Sequence, residues 1–128
     1  MAWTEDLSVG VDVLDRHHKR LFALVEEIPL ASDSGLDAVA KVLAELTDYV
    51  HYHFAEEEGM MEQSGFPFLD LHRHSHQTIA LRVADMVASL QSDNFKRVAE
   101  ELRLFLTGWL IHHIEIEDFE YRPYLAKA

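Results

Sequence analysis

Apolar residues recur every three to four positions in four stretches of the chain, with short polar or Gly- and Pro-bearing breaks between them. The first stretch, about 12–30, sets Leu14, His18, Leu21, Phe22 and Val25 on one helical face. Asp12 and Asp15 at its head read as the cap, and Pro29 near its end is expected to distort the last turn. Residues 31–35 read as a turn, and Ser34 with Asp37 has the spacing of a capping box. The second helix then runs to about 63 through Leu43, Leu46, Val50, His53, Glu57 and Met60, and stops at Ser64-Gly65. After the rigid connector Phe66-Pro67-Phe68, a third helix over about 69–91 starts with His72 and His76 and continues in phase with Ile79, Val83, Met86 and Leu90. Ser92-Asp93-Asn94 breaks the pattern. A fourth helix aligns Val98, Leu102, Leu106, Trp109, His113 and Ile116 until Arg122-Pro123 ends or kinks it.

Residues 1–11 have no helical period and read as an extended arm laid over the helices. Four helices of roughly 20 residues with short connections predict an all-α, up-down-up-down antiparallel four-helix bundle. With no internal repeat or low-complexity tract, residues 1–128 are expected to form a single domain.

Composition narrows the chemistry. Eleven basic against 23 acidic residues give a formal charge of −12, which argues against nucleic acid and anionic membranes as partners. No apolar run reaches the length of a membrane span, and the N-terminal residues are acidic where a signal peptide is basic, so the expected location is cytoplasmic. The absence of cysteine removes disulfides, iron–sulfur clusters and thiolate zinc sites. Nine histidines, by contrast, are a large excess for 128 residues.

Those histidines come in close groups, and helical phase chooses among them. His18 continues the stripe of Leu14, Leu21 and Val25, and His53 continues Leu46 and Val50. His72 and His76 share a face because they are four residues apart, and His113 continues Leu106, Trp109 and Leu110. His51 sits roughly 160° from His53 and His112 roughly 100° from His113. His17, His51, His74 and His112 therefore read as solvated and not as ligands. The inward five come from all four helices. A seam of Leu, Val and Ile cannot supply the polar partners that buried imidazoles need, whereas a shared metal site satisfies one nitrogen of each ring.

Carboxylates extend the set. Glu57 lies four residues after His53 on the same face, unlike its neighbours Glu56 and Glu58. Near His113 the candidates are Glu117 at +4 and Asp118 at +5; simple phase prefers Glu117, since +5 swings about 140° round an α-helix. Five imidazoles and two carboxylates exceed what one ion takes, so two bridged ions fit the count. Imidazole with carboxylate suits iron, zinc, copper or manganese.

The combined pattern resembles the hemerythrins in their single-domain bacterial form. The matching pieces are Trp3, Ser8-Val9-Gly10-Val11, the run Leu14 to Phe22, the run His53 to Met61, and the His72/His76 spacing. The run Trp109 to Ile114 followed by Asp118-Phe119-Glu120-Tyr121 completes them, so the likeness spans nearly the whole chain. The resemblance implies a non-haem di-iron centre with His72, His76 and His113 on one iron and His18 and His53 on the other, which keeps an open position. Glu57 and Asp118 would bridge together with an oxo or hydroxo group. The resemblance thus selects Asp118 against simple phase, and a locally widened turn would reconcile the two. One departure is His17, where the family commonly has Gln.

The function implied is reversible dioxygen binding, as a carrier, store or supplier and not an enzyme. Leu21, Phe54, Trp109, Leu110 and Ile114 are the candidates for an apolar lining that limits water near the open iron. The expected partners are dioxygen and an oxygen-consuming acceptor protein, with the chain itself a monomer. The rival classes are an oxygen or redox sensor acting through a separate partner, and a di-iron enzyme handling peroxide or nitric oxide.

Overall fold

Helices form where the apolar period predicts them, and local backbone chemistry sets their ends. In the computed structural model, which describes residues 3–125, α1 spans Asp12–Ser32, α2 Leu36–Ser64, α3 Leu69–Ala88 and α4 Phe95–His112. A π-helical turn, His113–Glu117, and a 3₁₀ turn, Asp118–Tyr121, carry the chain on from α4 into the short α5, Arg122–Leu125. α1 packs against α2 and α4, and α3 closes the ring by packing against α2 and α4, as an antiparallel up-down-up-down bundle requires.

Several local expectations change. The arm is not wholly extended: Glu5–Leu7 forms a 3₁₀ turn, and residues 1 and 2 of it lie outside the described residues. Asp12 and Asp15 do not cap α1, whose N-cap is Val11 without a side-chain bond. Asp15 instead ties the arm down: its Oδ1 accepts from the Val9 N–H at 2.9 Å and its Oδ2 from the Ser8 hydroxyl at 2.6 Å. Leu7 and Val9 are thereby buried against the bundle. Pro29 lies inside α1, which continues to Ser32, past the expected end at about 30.

The Ser34/Asp37 capping box does not form. Gly35 is the N-cap of α2 at φ 114°, a conformation that lacks a steric penalty only without a Cβ. At the other end Gly65 adopts φ 74°, and the N–H groups of Gly65 and Phe66 donate to the carbonyls of Glu62 and Met61. These paired bonds are those of a Schellman motif, so α2 ends where its first left-handed residue stands. α3 ends at Ala88, short of the expected 91. Asn94 is the N-cap of α4 but makes no side-chain capping bond; its side chain instead stabilises the connection by accepting from the Gln91 N–H at 2.7 Å and donating to the Ser89 carbonyl at 2.8 Å.

The interior divides along the bundle axis. Ile28, Val39, Leu43 and Leu102 are nearly inaccessible and fill one half, each contributing about 1.5–3 kcal/mol through burial. Antiparallel packing brings the start of α1, the end of α2, the start of α3 and the end of α4 together in the other half. That half holds the histidines. Among the described residues, no helix is long and apolar enough to cross a membrane.

Candidate metal centre

His18 from α1, His53 and Glu57 from α2, His72 and His76 from α3, His113 from the π-helical turn and Asp118 from the 3₁₀ turn are all buried and converge. The carboxylate oxygens sort the imidazoles into two groups. Glu57 Oε2 faces Nε2 of His18 at 3.5 Å and of His53 at 3.4 Å, while its Oε1 faces Nε2 of His72 at 3.0 Å and of His76 at 3.1 Å. Asp118 Oδ2 faces His18 Nε2 at 3.2 Å, and its Oδ1 faces Nε2 of His72 at 2.9 Å and of His113 at 3.1 Å. Each carboxylate therefore turns one oxygen to a two-histidine side and the other to a three-histidine side. Glu57, His72, His76, His113 and Asp118 form one set of donors able to hold a metal ion, and His18, His53 and Glu57 form another.

The widened turn explains Asp118. Its backbone N–H donates to the carbonyl of His113, five residues back, so the helix is under-wound there and residue 118 returns beneath His113. Glu117, favoured by simple α-helical phase, lies behind the cluster. Its Oε1 accepts from His113 Nδ1 at 3.1 Å and from the Ser75 hydroxyl at 2.9 Å.

Outer partners orient the rings. His76 Nδ1 donates to Glu58 Oε2 at 2.8 Å, and Arg73 holds Glu58 in turn, Nε to Oε1 at 3.3 Å. The Tyr121 hydroxyl, fully buried, donates to Glu57 Oε2 at 2.8 Å. Sequence phase leaves Glu58 and Tyr121 unassigned, because neither lies on an apolar stripe beside its histidine, and it offers Glu117 as an inward ligand where the structure makes it the acceptor behind His113. The one available signal was chemical: a buried imidazole that lends Nε2 needs an acceptor at Nδ1.

His17 overturns an expectation. It is not solvated but buried, with its Nδ1 2.9 Å from Nδ1 of His53. Burial, and then the neighbouring His53 and His18, push its pKa down to about 4. Adjacent positions on α1 can both be buried because the helix lies in the angle between α2 and α4 and presents two covered faces. His51, His74 and His112 are exposed as expected.

The lining candidates divide. Phe54 stacks on His76 with ring centroids 3.7 Å apart, and Trp109 stacks on His113 at 4.7 Å. Leu21, Leu110 and Ile114 are buried in the same apolar core, while Trp109 is half-buried at its margin.

Electrostatics and hydrogen bonding both call for a cation. Burial by itself would depress the imidazoles, yet the carboxylates of Asp118 and Glu57 raise His18 and His72 to about 9. Asp118 with Glu117 raises His113 to about 10. Burial likewise opposes the ionised forms of Glu57 and Asp118, but the surrounding histidines hold both carboxyls well below their usual range. Without a metal, His18, His72 and His113 thus favour the protonated form beside the carboxylates, whereas burial lowers His53. Both ring nitrogens of His18 and both carboxylate oxygens of Asp118 are buried with no hydrogen-bond partner among the described residues. His18 Nε2 and the Asp118 oxygens face their partners at ion-pair distance without hydrogen-bond geometry, and metal coordination would satisfy them. The donor set of imidazole nitrogen and carboxylate oxygen without sulfur fits non-haem iron.

Comparison with known proteins agrees with this geometry. The family model described as the Hemerythrin HHE cation binding domain matches residues 9–125. A bacteriohemerythrin of Stenotrophomonas maltophilia (strain R551-3) is 35% identical over 122 residues, covering 94% of this chain and 78% of that protein. A myohemerythrin of Theromyzon tessulatum is 30% identical over 120 residues, covering 94% and 89%. A crystal structure of wild-type hemerythrin superposes with a TM-score of 0.84 at 27% identity, covering 98% of each chain.

Proposed function

Because this chain belongs to the hemerythrin family, whose members bind dioxygen at a non-haem di-iron site, we propose that it binds dioxygen reversibly as a carrier, store or supplier. The observation that carries the reading is the sorting of imidazoles by the two shared carboxylates. In this reading His72, His76 and His113 would hold one iron, His18 and His53 would hold the other, and Glu57 and Asp118 would serve both. Two histidines against three would leave the iron of His18 and His53 one protein ligand short, which makes that side the one open to dioxygen. Once bound, the iron pair supplies the electrons that dioxygen takes up on binding and returns on release.

The remaining roles fall to the chain itself. Glu58 and Glu117 hold the Nδ1 protons of His76 and His113, which keeps each Nε2 directed inward. Tyr121 fixes the rotamer of Glu57 by donating to its Oε2. Leu21, Phe54, Trp109, Leu110 and Ile114 keep water from the open side, so that protons do not drain the oxygenated state. Five neutral imidazoles with only two carboxylates favour the oxidised metal less than a carboxylate-rich set does, which suits release.

The experiment is a deoxygenation cycle. The chain is loaded anaerobically with Fe(II), exposed to dioxygen, then returned to vacuum while its visible spectrum is followed. Repeated gain and loss of one charge-transfer band is the expected result. Continuous consumption of dioxygen with a reductant, and no return under vacuum, would make the protein an enzyme and overturn the proposal.

A further inference from the structure

His17 is a buried titratable side chain for which the dioxygen-binding site, as described, has no use. It precedes His18 on α1, and among the described residues its hydrogen-bonding partner is the ring of His53, with 2.9 Å between the two Nδ1 atoms. The rings of Tyr49 and Tyr52 hold it from the other side, at centroid distances of 5.8 and 5.2 Å. His53 turns its Nε2 inward to Glu57, so the Nδ1 that meets His17 is the nitrogen away from the metal position.

One contact settles two tautomers. A neutral imidazole that lends Nε2 to a metal keeps its proton on Nδ1. His53 must then donate, and His17 Nδ1 must accept through a lone pair, which places the His17 proton on Nε2. On the three-histidine side the corresponding acceptors are carboxylates, Glu58 for His76 and Glu117 for His113. A carboxylate draws the Nδ1 proton strongly and makes the ring a better donor at Nε2, whereas a neutral imidazole draws it weakly. Among the described residues, His18 Nδ1 has no hydrogen-bond partner.

We propose that His17 is a positioning residue for His53: it aims Nε2 at the two-histidine metal position and, as a neutral acceptor, makes that position the weaker of the two. The inference rests on the two-metal reading of the site. To the asymmetry of two histidines against three, it adds a contribution to divalent-cation affinity from one side chain outside the ligand set.

Two measurements test it. In a ¹⁵N-labelled, zinc-loaded chain, His53 Nδ1 should carry a proton and show scalar coupling through the hydrogen bond to His17 Nδ1. A His53 Nδ1 proton that exchanges freely with water and shows no such coupling overturns the proposal, and this test needs no variant. Zinc titration of the metal-free chain should show two steps, with His17→Leu weakening the second step by about 10- to 100-fold and sparing the first. His17→Gln, whose amide oxygen can accept, should restore most of the loss, and His17→Glu should narrow the gap between steps. Equal weakening of both steps in His17→Leu would make His17 a fold residue, and unchanged titration would make it idle; either result overturns the inference alone. A wild-type chain that binds a single zinc overturns the two-metal reading and the inference with it.

Discussion

Replacing Asp118 by Asn puts the shared-carboxylate assignment at greatest risk, because the change keeps the side chain's shape and removes its charge. Asp118 is fully buried and faces His18, His72 and His113 at 3.2, 2.9 and 3.1 Å. No cavity is created, so the cost is electrostatic. Removing one partner of a buried ion pair destabilises by about 3–5 kcal/mol. The three imidazoles can shed protons in response, which favours the lower end, about 3 kcal/mol. For a chain of this length that corresponds to a fall of roughly 10 °C in Tm for the metal-free protein. The control is Glu117→Gln. Its side chain is 28% exposed and bonds to His113 and Ser75 through one oxygen, so a cost of about 1 kcal/mol or less is expected. Thermal unfolding of both metal-free variants, followed by circular dichroism, gives the ranking; iron content after anaerobic loading gives the consequence, with two irons retained in Glu117→Gln and fewer in Asp118→Asn. If Glu117→Gln proves the more damaging in both assays, the π-helical turn does not place residue 118 in the centre and the assignment is wrong.

Three further outcomes are expected. Tyr121→Phe removes the bond to Glu57 while leaving the ring packed, so it should cost about 1–2 kcal/mol by denaturant unfolding and still load two irons; no loss of stability would mean that bond is not formed in solution. Leu110→Ser and Ile114→Ser should load two irons but autoxidise faster in air, read as decay of the oxygenated band, and unchanged decay in both would remove them from the lining. His51→Gln, His74→Gln and His112→Gln alter exposed positions and should leave the iron spectrum as in wild type, whereas His72→Leu, His76→Leu or His113→Leu should impair metal loading.

Periodicity made the four helices and the inward set of histidines legible, because an apolar stripe and a metal-directed imidazole obey the same 3.6-residue repeat. His18, His53, His72, His76, His113 and Glu57 could be placed on that basis, and all are buried together. What the repeat cannot carry is any departure from it. Asp118 belongs to the centre only because the helix widens after His113, a distortion that leaves no mark in the spacing of apolar residues; a match to a family motif, not phase, pointed to it. His17 illustrates a second limit. Its position one residue before His18 rotates it out of the stripe, and whether that second face meets water or another helix depends on where α2 lies. Glu58 and Tyr121 show a third: they reach His76 and Glu57 across helices, so their pairing exists only once the bundle has closed. Local sequence determines which residues can share a helical face, since that depends on a few consecutive peptide units. Which faces meet, and which nitrogen of each imidazole is left free for a metal, is decided by packing among segments far apart in the chain.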